Sequence, residues 1–198
     1  MEELEKEKSE IAKKLQMSFF DWIQCVFSAL ICCILIFVFF GRTIGVDGRS
    51  MEKTLKDSDR VVMRSLFYTP QNGDIIVFQS TSVERFRNTP LVKRVIAIGG
   101  QTIDINTDTS EVFVDGILLD EPYTHTLTTS RQDFEGPITV KEGHVFVMGD
   151  NRASSTDSRN ADVGEVDVRY ILGKVLFILI PGESPDGSRD WSRFGVVR

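Results

Sequence analysis

Residues 22–40, WIQCVFSALICCILIFVFF, run for 19 positions without a charge. Wound as an α-helix at 1.5 Å per residue, the stretch is about 28 Å long, close to the ~30 Å hydrocarbon core of a bilayer. No face of it is polar, as one face of a helix packed on a soluble core would be. A cleaved leader is the rival reading. Such leaders carry an apolar core of about 7–15 residues followed by a small-x-small cleavage site. This run is longer and closes Phe39-Phe40-Gly41-Arg42. We therefore expect an uncleaved span that divides the chain into a charge-alternating tail (1–21), a transmembrane helix (22–40) and a domain (41–198). Charge does not orient the span. Lys6, Lys8, Lys13 and Lys14 precede it, and Arg42, Arg49, Lys53 and Lys56 follow it, which leaves the positive-inside rule at a near tie.

The three cysteines, Cys25, Cys32 and Cys33, all lie within the run. The domain therefore has no cysteine for a disulfide, and its roughly 150 residues must rest on their own core, for which they suffice. Two histidines, His125 and His144, are too few for most zinc sites, and no Cys/His spacing marks a metal centre. A net charge of −6 argues against nucleic acid as a partner. Segments 60–64, 74–78, 91–98, 112–114, 117–119, 144–148 and 171–180 are rich in β-branched and aromatic residues and read as strands. Asp115-Gly116 between two apolar triplets predicts a type I′ hairpin. Little of the remainder shows a 3.6-residue period, so the fold class expected is mostly β. Residues 182–198 read as a surface tail.

Three segments could carry chemistry. In the apolar stretch LVKRVIAI, Lys93 and Arg94 are adjacent, so on a strand they point to opposite faces. Arginine keeps its charge, whereas a buried lysine can lose its proton near neutral pH and become a general base. Lys93 is thus the better candidate for an inner face, against the plain alternative of an edge lysine facing water. Ser50 follows Gly48-Arg49 shortly after the apolar run. Its hydroxyl is a weak nucleophile until a base takes its proton, and a loop serine of no special role reads the same way. The third segment, GDNRASSTDSR over 149–159, is dense in turn formers, and Asp157 and Arg159 can pair on one face if extended.

Together these segments resemble the bacterial type I signal peptidases, the serine–lysine proteases that release exported proteins from the membrane. VDGRSMEKTL (46–55) resembles that family's nucleophile box, GDIIVF (73–78) its second box, LVKRVI (91–96) its lysine box and GDNRASSTDSR (149–159) its last. Gly173-Lys174 and Pro181 follow where the family often has Gly-Lys and Pro. The resemblance implies a mostly-β catalytic domain on the outer face of the cytoplasmic membrane, with the N-terminus inside. It implies Ser50 as nucleophile, its backbone N–H as oxyanion donor and Lys93 as base. Ser155 is expected to hydrogen-bond and orient the lysine, with Asp157 and Arg159 bracing the site; Asp150 and Asn151 are given no firm role. The implied partners are the lipid membrane and secretory precursors cut after small residues, with no metal and no cofactor. Three departures stand out: Gly48 where some members place a hydroxyl, Lys53 where proline is usual, and Gly99-Gly100-Gln101 where Pro-Gly-Asp is usual. The competing class is a non-catalytic, membrane-tethered accessory factor for exported proteins, and a Ser/His/Asp hydrolase using His125 or His144 is a third.

Overall fold

The structure, a computed structural model, describes residues 17–34, 42–79, 89–184 and 186–197. Its contacts divide the chain into two compact units, Met1–Phe40 and Gly41–Arg198. In the first, helix α1 (Met17–Ile34) is long and apolar enough to cross a membrane. It shares residues 22–34 with the expected span; residues 35–40 lie outside the described residues. The helix begins before Asp21 because Phe19 and Phe20 continue its apolar surface past that single charge.

The second unit is built of short antiparallel strands: β1 (Arg42–Gly45), β2 (Arg60–Arg64), β3 (Ile75–Gln79), β4 (Pro90–Ile98), β5 (Thr102–Asn106), β6 (Glu111–Val114), β7 (Ile117–Leu118), β8 (Ile138–Thr139), β9 (His144–Met148), β10 (Val166–Asp167), β11 (Ile171–Ile180) and β12 (Gly195–Val196). The larger sheet runs β1-β2-β11-β3-β4-β9-β10, with β12 paired to β11; the smaller runs β7-β6-β5-β8. Asp115 and Gly116 both take positive φ, 54° and 76°, as a type I′ turn requires, and they join β6 to β7.

Position in the sheet decides burial. β5 alternates buried and half-buried residues, as a strand with one covered face does. In β4, flanked by β3 and β9, residues 92–97 are all buried. Three apolar clusters enclose it: Val46, Met51, Leu55 and Val92 belong to the first, Ile96, Ile103 and Phe146 to the second, Ile76, Val95 and Val147 to the third. Lys93 is buried as expected, and the expectation that Arg94 on the opposite face is not is corrected. Both are 3% exposed, because both faces of β4 are covered.

The segment expected to be a surface tail lies at the surface, but it is tied down rather than loose. Among residues 182–197, Glu183 bridges to Arg189, a 3-10 turn spans Trp191–Arg193, and β12 pairs Gly195 and Val196 with Ile178 and Phe177. Phe194 meets Phe177 edge-on at 4.8 Å. Its glycine and proline content is that of a loop; what holds it is the part of β11 past Lys174, where β3 no longer pairs with that strand, and no local pattern announces this.

Candidate active site

The site begins with the turn that follows β1. Val46, Met51 and Leu55 are buried and anchor it to the core. Between them Gly48 turns the chain at φ +91° and donates its N–H to Asp57 Oδ1 at 2.7 Å. Serine at position 50 is thereby held at the rim, half-buried, while its neighbour Met51 is sunk. Lys93 arrives from the centre of the sheet, paired across to Ile76. Its Nζ lies 2.7 Å from Ser50 Oγ and donates a second bond to the Val92 carbonyl at 3.0 Å. A separation of 2.7 Å is within the reach required for proton transfer between a base and a nucleophile.

Burial pushes the Lys93 ammonium down from its usual 10.5 to about 8; the charges of Asp157 and then Asp150 hold it from falling further. At pH 7 the unfolded chain carries a lysine that ionises without this penalty, so the depression corresponds to roughly 3 kcal/mol against the fold. The sign follows: the cost is fully present below pH 8 and vanishes as pH rises from about 8 toward 10.5. Lys93→Met should accordingly raise stability at pH 7 by about 1–3 kcal/mol. Thermal unfolding at pH 7 and at pH 10 checks this, the gain being expected to shrink at the higher pH. No gain at pH 7 would mean that the lysine is not desolvated.

Residues 149–159 wrap the other side of the pair. Gly149 permits the closest approach: a Cβ there would clash with Ser155 Oγ and come within 2.5 Å of the Ser50 carbonyl oxygen. Asn151 N–H donates to that same Ser50 carbonyl at 3.0 Å, and its side-chain amide donates to the Arg49 carbonyl at 3.1 Å. Asp150 takes Arg94 in a two-pronged ion pair, Nε to Oδ1 at 2.8 Å and Nη2 to Oδ2 at 2.7 Å. Thr54 Oγ1 donates to the same carboxylate at 2.5 Å, and the Tyr123 ring lies 4.0 Å from the Arg94 guanidinium. The buried Arg94 guanidinium thus meets one carboxylate in two-pronged geometry, and it also donates to the Gly73 carbonyl at 2.8 Å.

Asp157 and Arg159 are both enclosed and bonded to each other, Arg159 Nε to Oδ1 at 2.8 Å and Nη2 to Oδ2 at 2.9 Å. Asp157 also accepts from Gly149 N–H at 2.9 Å, which ties the pair to the segment touching Ser50. Ser155 is buried beside Gly149, but its Oγ hydrogen-bonds no described residue; the bond to Lys93 that the resemblance implies is not formed. Ser50, Lys93, Ser155, Asp157 and Arg159 therefore lie in one connected region, with Ser155 unbonded within it. His144 Nδ1 faces the Glu142 carbonyl and Nε2 lies 4.0 Å from Asp167. His125 is exposed. Neither histidine bonds Ser50 among the described residues, which removes the geometric basis of a Ser/His/Asp reading.

Sequence reasoning missed several supporting groups. Arg152 is buried and paired with Glu121, and it donates to Thr128 at 2.5 Å; Glu121 sits in no motif and gave no signal. Lys53, where proline is usual, donates from Nζ to the Pro122 carbonyl at 2.9 Å. The substitution replaces a fixed φ with a tie between the nucleophile loop and a loop 69 residues further on.

Residues 19–180 match the family model described as signal peptidase, peptidase S26. A signal peptidase I of Bacillus licheniformis is 33% identical over 177 residues, covering 83% of this chain and 90% of the relative. One from Bacillus amyloliquefaciens is 32% identical over 192 residues, covering 90% and 96%. The crystal structure of a signal peptidase I from Enterococcus faecalis, 30% identical, superposes with a TM-score of 0.44 over 54% of this chain and 97% of that one. With a family model spanning most of its length and relatives about a third identical nearly end to end, the chain belongs to the signal peptidases of family S26.

Proposed function

We propose that this protein is a membrane-anchored serine endopeptidase that removes signal peptides from exported precursors, with Ser50 as nucleophile and Lys93 as general base. The observation that carries the reading is the 2.7 Å separation of Lys93 Nζ and Ser50 Oγ, with the lysine 3% exposed. As the neutral amine, Lys93 takes the Ser50 proton while Oγ attacks the scissile carbonyl. The backbone N–H of Ser50 meets the developing oxyanion. The ammonium then delivers its proton to the leaving amine, and an acyl-enzyme remains on Ser50 until water attacks it. Ser155 Oγ, buried and bonded to no described residue, would help orient the lysine. Asp157 and Arg159 hold the segment against which Ser50 rests.

The sheet supports a peptide substrate. β9 pairs with β4 over residues 94–98, so residues 90–93 pair only with β3 among the described residues. An extended peptide can add along that free edge by backbone hydrogen bonds, ending beside Lys93. The single span, with N-terminus inside and the domain outside, would keep the site near the membrane: Ser50 is ten residues past Phe40, within about 36 Å even if fully extended. A precursor held in the bilayer by its own apolar segment is cut there. The accessory-factor reading gives no reason for a buried lysine to address a serine hydroxyl.

The test is incubation of a secretory precursor with the full chain in detergent. Wild type should release mature protein by a single cut after a small residue, and Ser50→Ala should be slower by at least about 10³-fold. Equal cleavage by both would reject the assignment.

A further inference from the structure

The family match ends at residue 180, yet the segment beyond it reaches back to the loop that carries Ser50. The contact is Arg193. Its guanidinium grips Asp59 with two prongs, Nη1 to Oδ1 at 2.8 Å and Nη2 to Oδ2 at 2.6 Å. Asp59 has no exposed surface, and the same carboxylate accepts the backbone N–H groups of Lys56 and Gly182, each at 2.7 Å. Arg193 Nη2 also donates to the Thr54 carbonyl at 3.3 Å.

Thr54 is the pivot. Its side chain bonds Asp150, the partner of Arg94, and its carbonyl is held by Arg193. Its N–H closes the turn onto the Met51 carbonyl at 3.0 Å, one residue from Ser50. The nucleophile turn is therefore clasped from two independent directions. One comes through the sheet, by way of Arg94 and Asp150; the other comes through the segment 182–197. The approach on the second side is tight, because a Cβ on Gly182 would collide with the Asp57 carbonyl oxygen. A buried carboxylate satisfied by one guanidinium and two backbone donors is a rigid joint, and leaving it half-satisfied loosens what it joins.

We propose that Arg193 is a positioning residue for peptide cleavage, acting through Asp59 and Thr54 to set the Ser50 turn against Lys93. The stretch 186–197, which carries Arg193, is then a strap that completes the site. The inference rests on Ser50 as nucleophile. A reactive oxygen displaced by about 1 Å can lose about 10² in rate, and the loss appears in the bond-breaking step.

The experiment measures kcat and KM on a secretory precursor for full-length wild type, Arg193→Ala and Arg193→Lys, below each protein's unfolding midpoint. Arg193→Ala should lower kcat about 10- to 100-fold with KM within about threefold. Arg193→Lys, which keeps the charge but not the two-pronged grip, should recover part of that loss. A folded Arg193→Ala protein with wild-type kcat would overturn the proposal, whatever its change in midpoint, and so would a loss confined to KM. If the alanine variant does not fold, Arg193→Lys decides. A kcat reduced about threefold or more at an unchanged midpoint supports positioning, and an unchanged kcat rejects it. Ser50→Ala in the same assay separates the two claims: an active Ser50→Ala protein rejects the nucleophile assignment itself, independently of any Arg193 effect.

Discussion

Lys93→Ala should reduce kcat on a secretory precursor by at least about 10³-fold while the β domain stays folded. The expectation follows from burial and distance together. Serine is a poor nucleophile unless a base within hydrogen-bond reach takes its proton, and Lys93 Nζ is the one such group bonded to Ser50 Oγ among the described residues. A lysine with its usual pKa would be protonated at neutral pH and useless in that role. Burial lowers this one to about 8, so a useful fraction is neutral near pH 7. The pH profile is the second half of the prediction. Because the active form is the deprotonated one, kcat/KM should climb about tenfold per unit up to an apparent pKa near 8 and level off above it. An acid limb near 6.5 would indicate a histidine instead, and full activity in Lys93→Ala would remove lysine from the mechanism.

The second large effect is expected at Asp157. Asp157→Ala should destabilise the domain by about 3–5 kcal/mol, because it leaves the Arg159 guanidinium buried with no counter-charge. Both side chains are fully enclosed, and among the described residues the Arg159 guanidinium is otherwise bonded only to the carbonyls of Arg152 and Ser130. For a domain of this size the shift amounts to about 6–20 °C in unfolding midpoint. Replacing both residues, as Asp157→Leu with Arg159→Leu, should recover part of the loss, since the pair is then removed whole rather than broken. A single-variant loss under about 1 kcal/mol would show that the pair braces nothing. Asp157 is also the foremost charge holding the Lys93 pKa up against burial. Asp157→Asn should therefore move the acid limb of the pH profile to lower pH, the removed anion no longer favouring the ammonium. A limb that stays in place would disconnect Asp157 from the base.

Departures at single positions were visible in the chain, but their effects were not. Lys53 reads as a lost proline; in the fold it is also a gained hydrogen bond to Pro122. Ser155 reads as a partner for the lysine; in the fold its hydroxyl is enclosed next to Gly149 without a bond, while Lys93 bonds the Val92 carbonyl. In each case the residue type was legible and its bonding was not, since that depends on which groups the fold packs around it.

Local patterns determined a good deal by themselves. The uncharged run marked the apolar helix over residues 22–34, and β-branched content marked β2, β9 and β11 at their observed limits because strand propensity is a short-range property. Asp-Gly placed the β6–β7 turn, since only a few residue types accept two successive positive φ values. The motifs at 46–55, 91–96 and 149–159 named the residues that now surround one serine. Short edge strands such as β1, β8, β10 and β12 stayed hidden, because two to four residues carry no periodicity. Only the tertiary structure decided that Lys93 and Arg94 are both buried, for that depends on β4 lying between β3 and β9 with both faces covered. It alone brought Ser50 within 2.7 Å of a lysine 43 positions away, and Arg193 onto Asp59 across 134. Antiparallel pairing of non-neighbouring strands sets those contacts, and the register of such pairing is a property of the whole sheet, not of any segment within it.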